Sequence, residues 1–177
     1  KLSKIDMVSH FMPWIFENGF LKQQLRVMVS TAEAWQTMIE GQRGFFKPRY
    51  FVPYDTTPNH LSYYTTDKLR ETLERYCDLK LVNDVNRMKV SVSAVNVRNG
   101  NFAIFSNENE ELHYDHFIAS GALPPGFPAV EIDGEYYWDG GLVSNTPLNE
   151  ILSHEEHLKQ LIFQVDLWNA KGTVPEN

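Results

Sequence analysis

The chain has 177 residues, 42% of them hydrophobic and 13% aromatic, and carries a formal charge of −7 at neutral pH. That length and apolar content support one folded domain with a core and exclude a disordered chain. The acidic balance excludes a nucleic-acid partner held by a basic field, and no apolar run approaches the roughly 20 residues of a membrane-spanning helix.

A single cysteine, Cys77, excludes an internal disulfide and fits a reducing compartment, so a cytoplasmic location is expected. The sequence opens on Lys1 without a charged-then-apolar leader, and reads as an internal part of a longer protein.

Residues 1–40 predict helix. Met7, Phe11, Trp14 and Ile15 recur at helical spacing, with Pro13 and Asn18-Gly19 as punctuation. Leu21, Leu25, Met28 and Val29 form a second stripe, and Ala34, Trp35, Met38 and Ile39 a third that ends near Gly41. Such stripes are expected in the core. Residues 44–54 interleave Phe45, Phe46, Tyr50, Phe51 and Tyr54 with Lys47, Pro48, Arg49 and Pro53, and predict a loop. Its aromatics either pin it to the core or form an acyl-binding wall or interfacial lid. Thr66 or Asp67 starts a helix to about residue 81, with Leu69, Leu73 and Tyr76 inward and Lys68, Arg70, Glu71, Glu74 and Arg75 outward. Cys77 is expected to pack as a small apolar residue.

Residues 89–97 alternate as a strand, and the small Ser91 and Ser93 on one parity predict close packing on both faces. Asn99-Gly100 predicts a hairpin into a strand over 102–105. Residues 106–111 read as a solvated acidic loop, and 114–120 as a short helix stopped by Gly121. Asp133-Gly134 joins strands over 129–132 and 135–138. Asp139 then falls at a strand end, where α/β enzymes place working side chains. Gly140 and Gly141 lack a Cβ and permit either a positive φ or a very close neighbour. Asn145 or Thr146 caps a following helix whose first residue is Pro147. Residues 161–165 predict a last strand.

The order of these features is distinctive. Ala119-Ser120-Gly121-Ala122 leads through Leu123-Pro124-Pro125-Gly126-Phe127-Pro128 to the Asp133-Gly134 hairpin, then to Tyr136-Tyr137-Trp138-Asp139-Gly140-Gly141-Leu142-Val143-Ser144-Asn145-Thr146-Pro147. The whole resembles the C-terminal half of patatin-like lipid acyl hydrolases. Gly44-Phe45-Phe46-Lys47-Pro48-Arg49 and residues 92–102 are similar to segments of bacterial members. The resemblance implies an α/β fold of three α/β/α layers, of which residues 1–177 form the C-terminal portion. Within it, residues 1–88 are mainly helical, and 89–170 hold the strands and the Asp-Gly-Gly motif.

The resemblance also implies a Ser-Asp dyad acting on a lipid or other ester, with peripheral membrane contact and neither a metal nor an organic cofactor. Asp139 would be its acid, with Gly140, Gly141, Asn145, Pro147 and Ser120 shaping the site. The family's Gly-x-Ser-x-Gly elbow and glycine-rich oxyanion loop are missing from this sequence. The serine is therefore expected from an upstream half of the domain, in the same or another chain, and this chain alone is expected to be inactive. A dyad needs a carboxylate dry enough to be basic and within reach of the hydroxyl, and the aromatics at 136–138 fit a dry setting.

Other constellations are weaker. Ser120 lacks an elbow and is not the nucleophile. His154 or His157 could complete a triad, following the acid as in α/β-hydrolases. His154-Glu155-Glu156-His157 is not a zinc motif, because its histidines are three apart rather than four. His113 and His116 read as structural or exposed. The rival from another class is a non-enzymatic lipid- or protein-binding module that exposes the aromatics of 44–54, Phe45 and Phe46 among them.

Overall fold

A computed structural model describes residues 19–51, 57–144 and 161–165. The first described element, α1 (Gly19–Glu40), is one uninterrupted helix that carries both the second and the third apolar stripe. It ends at Gly41, whose φ of +81° suits a residue without a Cβ. The apolar stripes of α1 are not core: Val27, Met28, Trp35, Met38 and Ile39 are all exposed. Periodicity marks a face, but α1 meets the other described elements chiefly at its C-terminal end. There it lies against β1 (Lys47–Pro48), and the Tyr64 hydroxyl donates to the Met38 carbonyl at 3.2 Å.

β1 breaks the loop expected over 44–54 by pairing antiparallel with β2 (Tyr64–Thr65). Phe45 and Phe46 turn inward. With Tyr64 and Phe127 they form one cluster, its closest rings being those of Phe46 and Tyr64 at 4.7 Å. The pinned-loop alternative therefore holds for these two residues, whereas Tyr50 and Phe51 are exposed.

The helix expected to reach residue 81 is two. α2 (Asp67–Tyr76) stops where Cys77 turns extended, and Asp78 starts α3 (Leu79–Val82) by accepting the Lys80 N–H at 3.0 Å. Thr66 precedes α2 but makes no capping bond with its side chain. Leu69 and Leu73 reach the core as expected. Tyr76 does not; it is exposed beneath the Arg75 guanidinium.

The main sheet follows from two local turn codes. β3 (Ser91–Asn96) and β4 (Phe102–Ser106) flank Gly100 with its φ of +72°. β5 (Val130–Ile132) and β6 (Glu135–Asp139) flank Asp133 and Gly134, both at positive φ as a two-residue primed turn requires. The strands run β4-β3-β6-β5, antiparallel throughout, with Ala94 opposite Asp139 and Val130 opposite Tyr137. α4 (Tyr114–Ala119) packs on one face, in a mixed α/β fold. Its Ile118 and Ala119, with Leu112 and Ala122, close on Ala94, Phe105, Val130 and Ile132.

Residues 106–111 are not simply solvated. Ser106 and Asn107 are buried, and Asn107 clamps three backbone groups: its Nδ2 donates to the Val82 and Met88 carbonyls, and its Oδ1 accepts the Val90 N–H. A polar side chain whose donors and acceptor are all matched is stable in a core. Residues 161–165 form no strand and are exposed. No helix among the described residues is long and apolar enough to cross a membrane.

Candidate active site

The site is built where β6 runs out. The pleat sends Tyr137 to the α4 side, its ring 5.2 Å from Phe105, and Trp138 to the other. Tyr136, Tyr137 and Trp138 are half-buried, so the dry setting expected of these aromatics is only partly present. Asp139 shares the α4 face with Ala94, its partner on β3. Its backbone N–H donates to the Ala122 carbonyl at 3.1 Å. Its Oδ1 accepts the Gly141 N–H at 2.7 Å and so caps a 3-10 turn over Gly140–Leu142. Oδ2 accepts no hydrogen bond among the described residues, and the side chain is half-buried. Among the described residues, one carboxylate oxygen is held and the other is not.

Of the two reasons for a glycine after Asp139, Gly140 obeys the second. Its φ is not positive, but a Cβ there would stand 2.3 Å from Ser93 Oγ and 2.7 Å from the Ser93 carbonyl carbon and oxygen. The turn can begin only because β3 and Gly140 touch backbone to backbone. Gly141 supplies the N–H that orients the carboxylate.

Ser120 lies just past α4, and its hydroxyl donates to the Phe117 carbonyl at 2.9 Å, an end-of-helix bond. It touches the site indirectly, two residues before Ala122. Asn145, Pro147, His154 and His157 lie outside the described residues. Two contributors were missed from sequence: Ala122, through its carbonyl, and Ser93, through its closeness to Gly140. The signal for both was small size, at the end of Ala-Ser-x-Ala and on the second parity of β3.

His116 is structural, as expected. It is buried against Phe105, and its Nδ1 accepts the His113 N–H at 2.8 Å in a reciprocal cap of α4. Its Nε2 is 3.7 Å from a Glu110 oxygen. No group of three or more metal-ligating side chains occurs among the described residues. An open cleft of about 450 Å³ on α2 and α3 is lined by Arg75, Cys77, Lys80 and Tyr114 among others, and by no residue of the Asp139 turn.

A family profile described as Patatin-like phospholipase matches residues 28–152, well over half of the chain. The chain belongs to the patatin-like phospholipase family. Comparisons with curated proteins and with solved structures give no match. The matched span runs from within α1 through the Asp139 turn, so the patatin-like assignment and this site fall on the same stretch. Membership in this family points to lipid acyl hydrolysis.

Proposed function

We propose that this chain supplies the carboxylate of a Ser-Asp dyad in a patatin-like carboxylic ester hydrolase, with the serine contributed from outside the present sequence. The observation that carries this reading is the asymmetry of Asp139, with Oδ1 held by Gly141 N–H and Oδ2 open at a strand end. A general base needs both a fixed direction and an uncommitted lone pair.

In the proposed reaction Asp139 Oδ2 takes the serine proton as the serine oxygen attacks the ester carbonyl. The tetrahedral intermediate collapses to an acyl-enzyme, and the departing alcohol carries that proton away. Water then repeats the sequence: Asp139 takes its proton, the hydroxide oxygen attacks, and the serine leaves reprotonated. Gly140 sets how closely the turn lies to β3, and Ser120 and Ala122 hold the segment that receives the Asp139 N–H.

The test is ester and phospholipid hydrolysis by the full-length protein and its Asp139→Asn variant. A loss of about 10²–10⁴-fold in kcat is expected, whereas unchanged turnover would remove Asp139 from the chemistry. The same assay on the 177-residue chain alone is expected to give no turnover. Retained activity after both His154→Ala and His157→Ala would exclude the triad alternative.

A further inference from the structure

Among the described residues, three buried side-chain atoms lack a hydrogen-bond partner: Arg49 Nε, Asn59 Oδ1 and His116 Nε2. Of the three residues only His116 is buried as a whole, at 3% exposure. A buried donor left unmatched costs free energy, so it calls for an explanation beyond packing.

The tautomer of His116 is fixed by its other nitrogen. Nδ1 accepts the His113 N–H at 2.8 Å, so the proton of the neutral ring sits on Nε2. An oxygen of Glu110, an exposed loop residue, is 3.7 Å from Nε2, just beyond hydrogen-bond reach. The other charged groups around α4 are already engaged. Arg70 of α2 pairs with Asp115, and Glu135 of β6 with Arg98. β6 also brings Tyr137 and Asp139 to this face, while β3, β4 and β5 bring Ala94, Phe105, Val130 and Ile132 to the core beneath α4. At the start of α4, the exposed His113 ring stacks 5.9 Å from that of His116.

We propose that His116 is an acid-operated latch on α4. A second proton must go on Nδ1, the atom that holds the His113 N–H. An imidazolium has two donors and no acceptor, so that bond breaks. The charged ring then attracts Glu110, and closing the gap at Nε2 to a charge-assisted bond replaces the one lost. One proton thus exchanges the partner that holds the start of α4, in the range of about pH 5 to 8 where imidazoles change charge.

The latch reaches the Asp139 turn through backbone. The His116 carbonyl accepts the Ser120 N–H, the Ala119 carbonyl the Ala122 N–H, and the Ala122 carbonyl the Asp139 N–H, each at 3.1 Å. With six residues, α4 is too short to hold its shape alone, so loosening its start is passed to its end. The inference rests on the dyad reading only for its effect on turnover.

The experiment follows the histidine ring nitrogens by NMR, together with amide exchange, in the full-length protein from about pH 8 to about pH 5. At the alkaline end His116 should carry its proton on Nε2. As Nδ1 takes a proton, exchange of the His113 amide, corrected for its intrinsic rate, should speed about tenfold, as expected for a lost cap. Amides of residues 120–122 and of Asp139 should follow. His116→Gln keeps an acceptor that reaches back to the start of the helix but cannot be charged, and should abolish the response. Glu110→Gln removes the anion that receives the imidazolium, and should move the response to more acid pH. Glu135, held below the ordinary glutamate value, titrates under this range. Asp139→Asn should keep the full exchange response, so the latch and the dyad fail separately. The proposal is overturned if His116 stays neutral down to about pH 5, or becomes charged with His113 still protected. It is also overturned if folded His116→Gln responds as wild type does. Should that variant not fold, the wild-type spectra decide alone.

Discussion

Gly140 and Ser93 meet so closely that a single methyl group on Gly140 would stand 2.3 Å from Ser93 Oγ. This contact ties the Asp139 turn to the centre of the sheet, since β3 lies between β4 and β6. Gly140→Ala should therefore destabilise the fold by about 2–3 kcal/mol through overpacking, read as a lower urea midpoint at unchanged slope. Adding Ser93→Gly should not restore it, because the Ser93 carbonyl carbon and oxygen would remain 2.7 Å away. Full rescue by that second change would locate the clash in the side chain alone.

Asn107 joins three segments through one amide, reaching Val82, Met88 and Val90. Asn107→Ala leaves two carbonyls and one N–H without that partner, and should cost about 2–4 kcal/mol in chemical denaturation. Asn107→Asp keeps the acceptor for Val90 but loses both donors, and should be no better than alanine. A surface-like change below about 0.5 kcal/mol would mean that water replaces the amide without cost.

What was legible in the sequence was local. Asp133-Gly134 specifies its two-residue hairpin because only a few residues tolerate the dihedrals that turn needs, whereas the β3–β4 connection is longer than the tight Asn99-Gly100 turn expected, with only Gly100 at positive φ. The Asp133-Gly134 hairpin then puts Asp139 at a strand end by counting alone. The Asp-Gly-Gly context was equally readable, and the family assignment agrees with it. What was not legible depends on partners distant in sequence. The stripes of α1 mark an apolar face but do not say whether anything packs on it. Cys77 carries no breaker signal, yet the chain leaves the helix there and Asp78 starts a new one. Asn107 looks like any loop residue until Val82 and Met88 are seen beneath it. The closeness of Ser93 to Gly140 likewise belongs to the register of β3 against β6.

Phe46 and Phe51 are close in sequence and opposite in environment. Phe46 touches Phe45, Tyr64 and Phe127, whereas Phe51 is exposed. Phe46→Ala should lower stability by about 2–4 kcal/mol, and Phe51→Ala should leave the melting temperature nearly unchanged. Reversed effects would contradict the burial of this aromatic cluster.

Glu135 gives the β5–β6 hairpin a pH dependence. Both its oxygens accept from Arg98, at 2.7 and 3.0 Å, and one also accepts from Asn96 at 3.2 Å. The Arg98 hydrogen bonds, and then that of Asn96, hold its carboxyl below the ordinary glutamate value. A depressed folded-state value stabilises the charged form, so the contribution is present above the unfolded value and is lost as pH falls through the folded one. Glu135→Gln should therefore melt below wild type near neutrality, with the gap closing on acidification. A gap that stays constant across acid pH would mean that the pairing adds nothing.

Asp139→Asn separates chemistry from architecture in a way that alanine does not. The amide oxygen of asparagine can still accept the Gly141 N–H that Asp139 Oδ1 holds at 2.7 Å, so the turn over Gly140–Leu142 should persist. Asparagine is as good a cap as aspartate, so stability should stay within about 0.5 kcal/mol of wild type, whereas Asp139→Ala should lose about 1 kcal/mol with the cap. If Asp139 is the base, both variants should lose hydrolysis in the full-length protein to a similar degree, because neither side chain can take a serine proton. Denaturation and turnover measured on the same preparations distinguish the roles. Loss of activity in alanine but not asparagine would reduce Asp139 to a capping residue, and equal loss with unequal stability is the pattern expected of a general base.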